Sequence, residues 1–250
     1  TPYGTGIEEV DYLLTDSFLD PNSKSKPGYT EELNYLELGS VVAFPLVSKQ
    51  EGLLVRTGDE FLFAADAKLH ELTPPTISCW AQILHAVPEA SLILLDHDFK
   101  QTETLNQLVQ LFGTFGIANK IDIVNSSVSS KFFEQADVCL MPIPMPSAQV
   151  TVDALWGGCP VISFAGAGRH TRESGSVLSY LGFEADMVAG NLEDYTKLAL
   201  NWAQDTDKRN EFRTTVREKI LNSKHFDTKA RAADLQSSFD ALWQKTCETS

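Results

Sequence analysis

Ser147 and Asp153 lie just beyond three alternating prolines, Pro142, Pro144 and Pro146. Ser147 precedes the apolar-periodic run Gln149 to Trp156 and so reads as the N-cap of a helix. The first turn of a helix offers backbone N–H groups and a partial positive charge, which together suit an anion such as phosphate. Ser147, Ala148, Gln149 and Val150 would form that turn. Asp153 projects from the same helix, and a carboxylate there can accept from both hydroxyls of a ribose. A plain capped helix with a solvated aspartate fits the same residues.

Two more clusters have chemical potential. Gly166-Ala167-Gly168 lets backbone approach a ligand closely, and Arg169, His170 and Arg172 follow it. Such cations can neutralise phosphate, or they can form a basic solvated face. Lys68 and His70 follow the apolar run Phe61 to Ala65 and would face the same crevice in a parallel sheet. A lone histidine is also a common structural residue. The five histidines include no HxxxH pair, so no metal is expected. Neither a GxSxG elbow nor a GxxxxGK[ST] loop occurs.

The elements that must position these residues form a regular series from about residue 60. Strands are predicted at Phe61 to Ala65, Ser91 to Asp96, Ile121 to Val124, Val138 to Ile143 and Pro160 to Phe164. Between them the periodicity predicts helices. One opens at Pro74-Pro75-Thr76, one spans Thr102 to Phe112, a short one spans Lys131 to Gln135, and one spans Gln149 to Trp156. Short apolar strands alternating with helices indicate a parallel sheet covered on both faces. Ligands of such sheets sit beyond the carboxyl ends of the strands. Those ends are 65–68, 124–127, 143–147 and 164–168. After residue 169 the strand signal stops, and helices are predicted near 174–181, 192–204, 206–221 and 229–245. Residues 1–40 are loop-rich, with an extended candidate at Val10 to Thr15.

The 250-residue chain carries a formal net charge of −14, which disfavours nucleic acid and anionic membrane surfaces as partners. No apolar run approaches the ~20 residues of a membrane span. No signal peptide is visible, and the four cysteines are dispersed without a CxxC, so a cytoplasmic location is expected. The chain opens on Thr1 rather than Met, as a piece of something longer would.

Ala136-Asp137-Val138-Cys139-Leu140 and then Asp153-Ala154-Leu155-Trp156-Gly157-Gly158-Cys159-Pro160-Val161 resemble the C-terminal catalytic lobe of the O-GlcNAc transferase/SPINDLY family. The resemblance runs collinearly over roughly residues 3–245. Tyr3-Gly4-Thr5-Gly6 and Val10 to Asp16 are similar to the family's GTSG…DYxxTD segment. Tyr29 to Leu33 is similar to its YSExL helix, and Leu72 to Pro88 to its IxP…WAxIL…VP stretch. Arg172 and Ser176 fall in its SRVAAS segment, and Leu192 to Leu200 in its QEY…A segment.

The resemblance implies a GT-B fold, in which two Rossmann-like lobes face each other and the C-terminal one holds a nucleotide-sugar. It implies inverting, metal-independent transfer of a sugar to Ser or Thr of a protein acceptor, without a cofactor. Residues 1–58 would be the tail of the N-terminal lobe and the inter-lobe linker. Residues 59–250 would be the nucleotide-sugar-binding lobe, ending in a helical tail. The rest of the N-terminal lobe, and tetratricopeptide (TPR) repeats in many members, would lie upstream, so this piece alone should be inactive. Asp153 would bind the ribose and Ser147 to Val150 the phosphates. His70, Ser126 and Gly166 would line the donor pocket, and Lys68 and Arg172 would stabilise the departing phosphate.

The sequence departs from the family pattern at three places. The family has NGxTT where this chain has Pro146-Ser147-Ala148-Gln149-Val150, and it has a lysine where this chain has Glu71. Its KxxH segment is absent from the serine-rich Asn125 to Lys131. A glutamate close to a diphosphate would be repulsive by ~4 kcal/mol at an effective dielectric near 20. Two readings of the departures stand. The donor carries a single phosphate, as a CMP-activated nonulosonic acid for flagellin-type acceptors does, or the lobe is a scaffold that has lost catalysis. Phe239, Leu242 and Trp243 are expected to expose apolar surface on the last helix.

Overall fold

A computed structural model describes residues 4–21, 28–45, 60–95, 99, 102–124 and 129–249. Two short strands come first, β1 (Tyr12–Thr15) and β2 (Glu32–Tyr35), paired in parallel with each other. The main sheet holds β3 (Phe61–Ala65), β4 (Ala90–Leu95), β5 (Ile121–Val124), β6 (Val138–Leu140), β7 (Val161–Phe164) and β8 (Val188–Ala189). All its pairings are parallel, in the order β5-β4-β3-β6-β7-β8.

That order reverses between β3 and β6. The chain steps one way from β3 to β5 and the other way from β6 to β8. Right-handed crossovers therefore put α1 (Pro74–Ala86) and α2 (Thr102–Thr114) on one face. They put α3 (Ser129–Phe133), α4 (Ala148–Trp156), α5 (Glu173–Tyr180) and α6 (Glu184–Met187) on the other. Packing agrees: α4 touches α3, α5 and α8 (Thr206–Asn222), while α1 touches α7 (Leu192–Gln204). The last helix is α9 (Thr228–Thr249). With both faces covered, Val138, Cys139 and Leu140 of β6 and Phe63, Ala64 and Ala65 of β3 are all buried.

α1 starts as the sequence predicts. Thr73 is its extended N-cap and proline fills its first turn. Its inner side buries Ile77, Trp80, Ile83 and Leu84, and the Trp80 indole N–H meets the Tyr195 hydroxyl of α7 at 3.3 Å. That hydroxyl donates to the Met141 carbonyl at 2.7 Å. Each buried polar atom is thus satisfied while α1, α7 and the end of β6 are locked together.

Several expectations need correction. Tyr29 to Leu33, placed in a helix by resemblance, is not helical: Glu32 and Leu33 open β2, whose backbone pairs with β1. The predicted strand Val138 to Ile143 ends at Leu140, because Pro142, Pro144 and Pro146 have no N–H to extend the ladder. The short helix runs over Ser129–Phe133 rather than Lys131 to Gln135. The strand signal does not stop at residue 169, since β8 adds to the edge through Ser163↔Val188 and Phe164↔Ala189. The last helix exposes Phe239 (53%) and Trp243 (71%) as expected, whereas Leu242 is half-buried.

The segment before the sheet is fastened to its helical flank. His225 is buried, stacks on Tyr180 with rings 5.2 Å apart, and lies 2.7 Å from the Leu38 carbonyl. A carbonyl can only accept, so Nδ1 carries the proton there. Burial, helped by the nearby Arg231 charge, lowers the His225 pKa below its ordinary 6.5, against the Leu38 hydrogen bond and Asp16. A depressed folded pKa means the unfolded chain binds the proton first as pH falls. The His225 contribution is therefore present above pH 6.5 and lost as pH drops through the folded value. The thermal midpoint is expected to fall between pH 7.5 and 5.5, and less steeply in His225→Phe; equal slopes would contradict this.

Candidate functional site

The crevice at the reversal between β3 and β6 is where an open parallel sheet takes its ligands. Its two walls are joined by threonines. Thr76, fully buried at the start of α1, accepts from the Ile143 N–H at 2.9 Å, and its hydroxyl is 2.8 Å from the Ile143 carbonyl. Thr73 donates to the same carbonyl. This clasp fixes the loop that launches α4. It went unread in the sequence, where Thr76 figures only in the opening turn of α1.

α4 begins as expected. Ser147 is extended (φ −86°, ψ 129°) and its hydroxyl accepts from the Val150 N–H at 3.3 Å. Thr151 donates to the Ser147 carbonyl at 2.8 Å, and its hydroxyl lies 2.7 Å from that of Ser174 on α5. The turn Ser147 to Val150 is thus held from both sides. Ala148 is buried, while Ser147, Gln149 and Val150 are partly exposed.

Asp153 is on this helix but is not a solvated side chain: it is 3% exposed. The Gln149 amide, one turn earlier, lies 3.2 Å from its Oδ1. The same amide nitrogen is 2.9 Å from the Phe44 carbonyl. Helix α4 therefore brings together Ser147, Ala148, Gln149, Val150 and Asp153, and Gln149 ties them to the segment ahead of the sheet.

On the β3 side, Lys68 and His70 are exposed around a 3-10 turn, Leu69–Glu71. Glu71 closes that turn by accepting from the Lys68 backbone N–H at 2.7 Å and lies 3.9 Å from His70 Nε2. Its side chain is 17% exposed, so a negative charge is anchored at the carboxyl end of β3. Ser126 lies outside the described residues.

The loop after β7 has another use for its residues. A Cβ on Gly166 would meet Phe164 Cε1 at 2.9 Å and Thr171 Oγ1 at 3.0 Å, so the loop is closely packed there. Arg172 donates from Nη1 to the Gly166 carbonyl at 3.0 Å and from Nε to the Phe18 carbonyl at 2.7 Å. Its guanidinium lies 4.7 Å from the Phe18 ring centroid, and burial lowers its pKa. Arg169 pairs with Asp20 at 3.3 Å. Both arginines thus join the β7 loop to residues 14–20. Among the described residues, no group of three or more His, Cys, Asp or Glu side chains is gathered as a metal site. No described helix is long and apolar enough to cross a membrane.

The model of the family described as glycosyl transferase family 41 matches residues 46–235. A probable UDP-N-acetylglucosamine–peptide N-acetylglucosaminyltransferase SPINDLY of Petunia hybrida is 26% identical over 99% of this chain and 27% of its own length. The corresponding SEC protein of Arabidopsis thaliana is 26% identical over 98% of the chain and 26% of its own length. The chain therefore spans about a quarter of the length of these relatives. A mutant O-GlcNAc transferase of Thermobaculum terrenum has a TM-score of 0.89 and 24% identity, over 100% of this chain and 48% of that one. A sucrose-phosphate synthase of Thermosynechococcus elongatus gives 0.58 and 15%, over 97% and 60%. The fold is that of a GT-B glycosyltransferase lobe.

Proposed function

The chain belongs to glycosyl transferase family 41, and from that premise we propose that it is the donor-binding lobe of an enzyme that moves a sugar from a nucleotide to Ser or Thr of a protein acceptor. One observation carries the reading. A serine-capped helix starts at the topological switch of the sheet and holds a carboxylate, Asp153, at i+4 from its first-turn Gln149. The turn Ser147 to Val150 takes the phosphate and Asp153 the ribose hydroxyls.

In this reading His70, Ser126 and Gly166 border the donor, and Lys68 is the cation near the departing phosphate. Arg172 acts through the Gly166 loop, because its Nε and Nη1 are spent on carbonyls. Catalysis is then positioning plus stabilisation of the leaving group by helix N–H groups and Lys68, inverting and without a metal or other cofactor. Residues 1–58 supply the end of the first lobe and the linker, and residues 59–250 the donor lobe. The remainder of the first lobe completes the cleft in the cytoplasm, with TPR repeats upstream to present the acceptor.

The anchored Glu71 favours a donor with one phosphate over a diphosphate, since its charge sits where β3 ends. CMP-activated nonulosonic acid is such a donor. A scaffold lobe without catalysis is the competing reading, favoured by the covered Asp153.

A thermal-shift screen against UDP, GDP, CMP and their sugar conjugates tests the proposal. A ligand that binds only the folded chain raises its midpoint. Stabilisation by one nucleotide is expected, with CMP favoured. No shift at millimolar concentration would count for the scaffold reading. Asp153→Ala is expected to weaken binding of the stabilising nucleotide at least tenfold in a calorimetric titration; unchanged affinity would remove Asp153 from the ribose.

A further inference from the structure

The small sheet ahead of the donor lobe is unfinished on one side. Among the described residues it holds two strands, β1 and β2, and a pair of strands is marginal by itself. Its ladder shows which groups look outward. The Glu32 N–H donates to the Asp11 carbonyl at 2.8 Å, and the Leu36 N–H to the Thr15 carbonyl at 2.9 Å. Alternate residues of a parallel strand bond the same neighbour, so Asp11, Leu13 and Thr15 serve β2. Tyr12 and Leu14 then direct their N–H and carbonyl groups to the opposite edge, where no described strand lies. Arg169 takes the Leu14 carbonyl at 3.2 Å and so closes that edge at its far end.

Helix α9 crosses this sheet and differs on its two flanks. Toward β2 it is small and polar: Ala230, Ala233 and Ser237 border a cleft with Asn34 and Glu37, and Ser238 bonds the Asn34 amide. A sheet edge that faces water is dressed in this way. Toward β1 the helix is large and apolar. Leu235 shares a cavity with Leu14 of β1, and Phe239 and Trp243 follow at four-residue steps, which form one ridge of a helix. Lys245 reaches over the Tyr12 ring, so the Trp243 end of the ridge lies beside the start of β1. A ridge that is 53% exposed at Phe239 and 71% at Trp243 runs along the same side as the unpaired edge.

We infer that the sheet continues from β1 and not from β2: a further apolar strand, parallel to β1 and supplied by the remainder of the first lobe, bonds Tyr12 and the Leu14 N–H and covers Phe239 and Trp243. The inference rests on the reading of this chain as a donor lobe that carries the end of another lobe. The strand joins both signals, because a third strand at ladder spacing beyond β1 falls over the apolar ridge. The β2 edge stays free.

The test is amide hydrogen exchange of the full-length polypeptide beside that of the 250-residue chain, with Trp243→Gln made in both. In the full-length protein the Tyr12 and Leu14 amides are expected to exchange about 100-fold more slowly than in the chain. Trp243→Gln keeps a good helix former and is expected to lower the full-length thermal midpoint by about 4 °C while leaving the chain within about 1 °C. Unchanged exchange at Tyr12 and Leu14 in the full-length protein would overturn the strand, and so would slowing at the β2 amides Leu33 and Tyr35 instead. A dimer that persists at full length and dissociates on Trp243→Gln would give the ridge to a second copy and overturn it as well. The donor-site reading is judged separately, by the nucleotide-induced shift of the chain. Absence of that shift with Tyr12 and Leu14 protected would overturn the donor site and leave the strand standing.

Discussion

Asp16→Ala is expected to lower the free energy of unfolding by about 3–5 kcal/mol, the range for breaking a buried, fully bonded charge. Asp16 is completely buried. Its Oδ1 accepts from the N–H groups of Phe18 (3.0 Å) and Leu19 (2.8 Å). Its Oδ2 accepts from the Ser40 N–H (3.0 Å), the Ser40 hydroxyl (2.9 Å) and the Ser176 hydroxyl (3.1 Å). Alanine strands these donors where little water reaches them, and leaving buried donors unmade costs more than making them gains. Asp16→Asn should rescue little. In either orientation its amide N–H groups would meet a backbone donor, those of Phe18 and Leu19 on one side or that of Ser40 on the other, where only the Ser40 and Ser176 hydroxyls can turn to accept. Urea unfolding at neutral pH measures the effect; a loss below about 1 kcal/mol would show that the network relaxes freely.

Arg172→Ala is expected to cost about 2–4 kcal/mol in the same assay, from two charge-assisted hydrogen bonds and one cation–π contact, discounted for partial exposure. The carbonyls of Phe18 and Gly166 lose their donor, and the Phe18 ring loses the guanidinium over it. Arg172→Lys should recover little, because an ammonium cannot reach two divergent carbonyls while stacking on the ring. A stability loss within 0.5 kcal/mol, combined with a large loss of nucleotide affinity, would return Arg172 to direct phosphate contact. The sequence presents Arg172 as a phosphate cation, but the fold spends it on the junction between the β7 loop and the preceding segment.

That contrast shows where the sequence is readable. Local signals carried through: Pro74-Pro75-Thr76 opens a helix, Ser147 caps one, and the apolar runs are parallel strands. Each depends on a few neighbouring residues. β2 and β8, of four and two residues, are too short to show a period, and their strand state comes from the partner they pair with. The Asp16 cluster is hidden for another reason. Ser176 lies 160 residues from Asp16, and Gln149 lies 105 from Phe44, so no spacing rule links them. The candidate site divides in the same way. The α4 turn is local and legible, whereas the covering of Asp153 and the commitment of Arg172 are long-range outcomes of packing.

In the proposed function the first turn of α4 and Asp153 hold a nucleotide. Amide hydrogen exchange of the chain, with and without the nucleotide that raises its thermal midpoint, tests it most directly. Slowed exchange is expected to concentrate in residues 147–153, beside the strand ends near residues 66–71 and 143–147. Slowed exchange elsewhere, with 147–153 unchanged, would contradict it and place the ligand at another surface of the lobe.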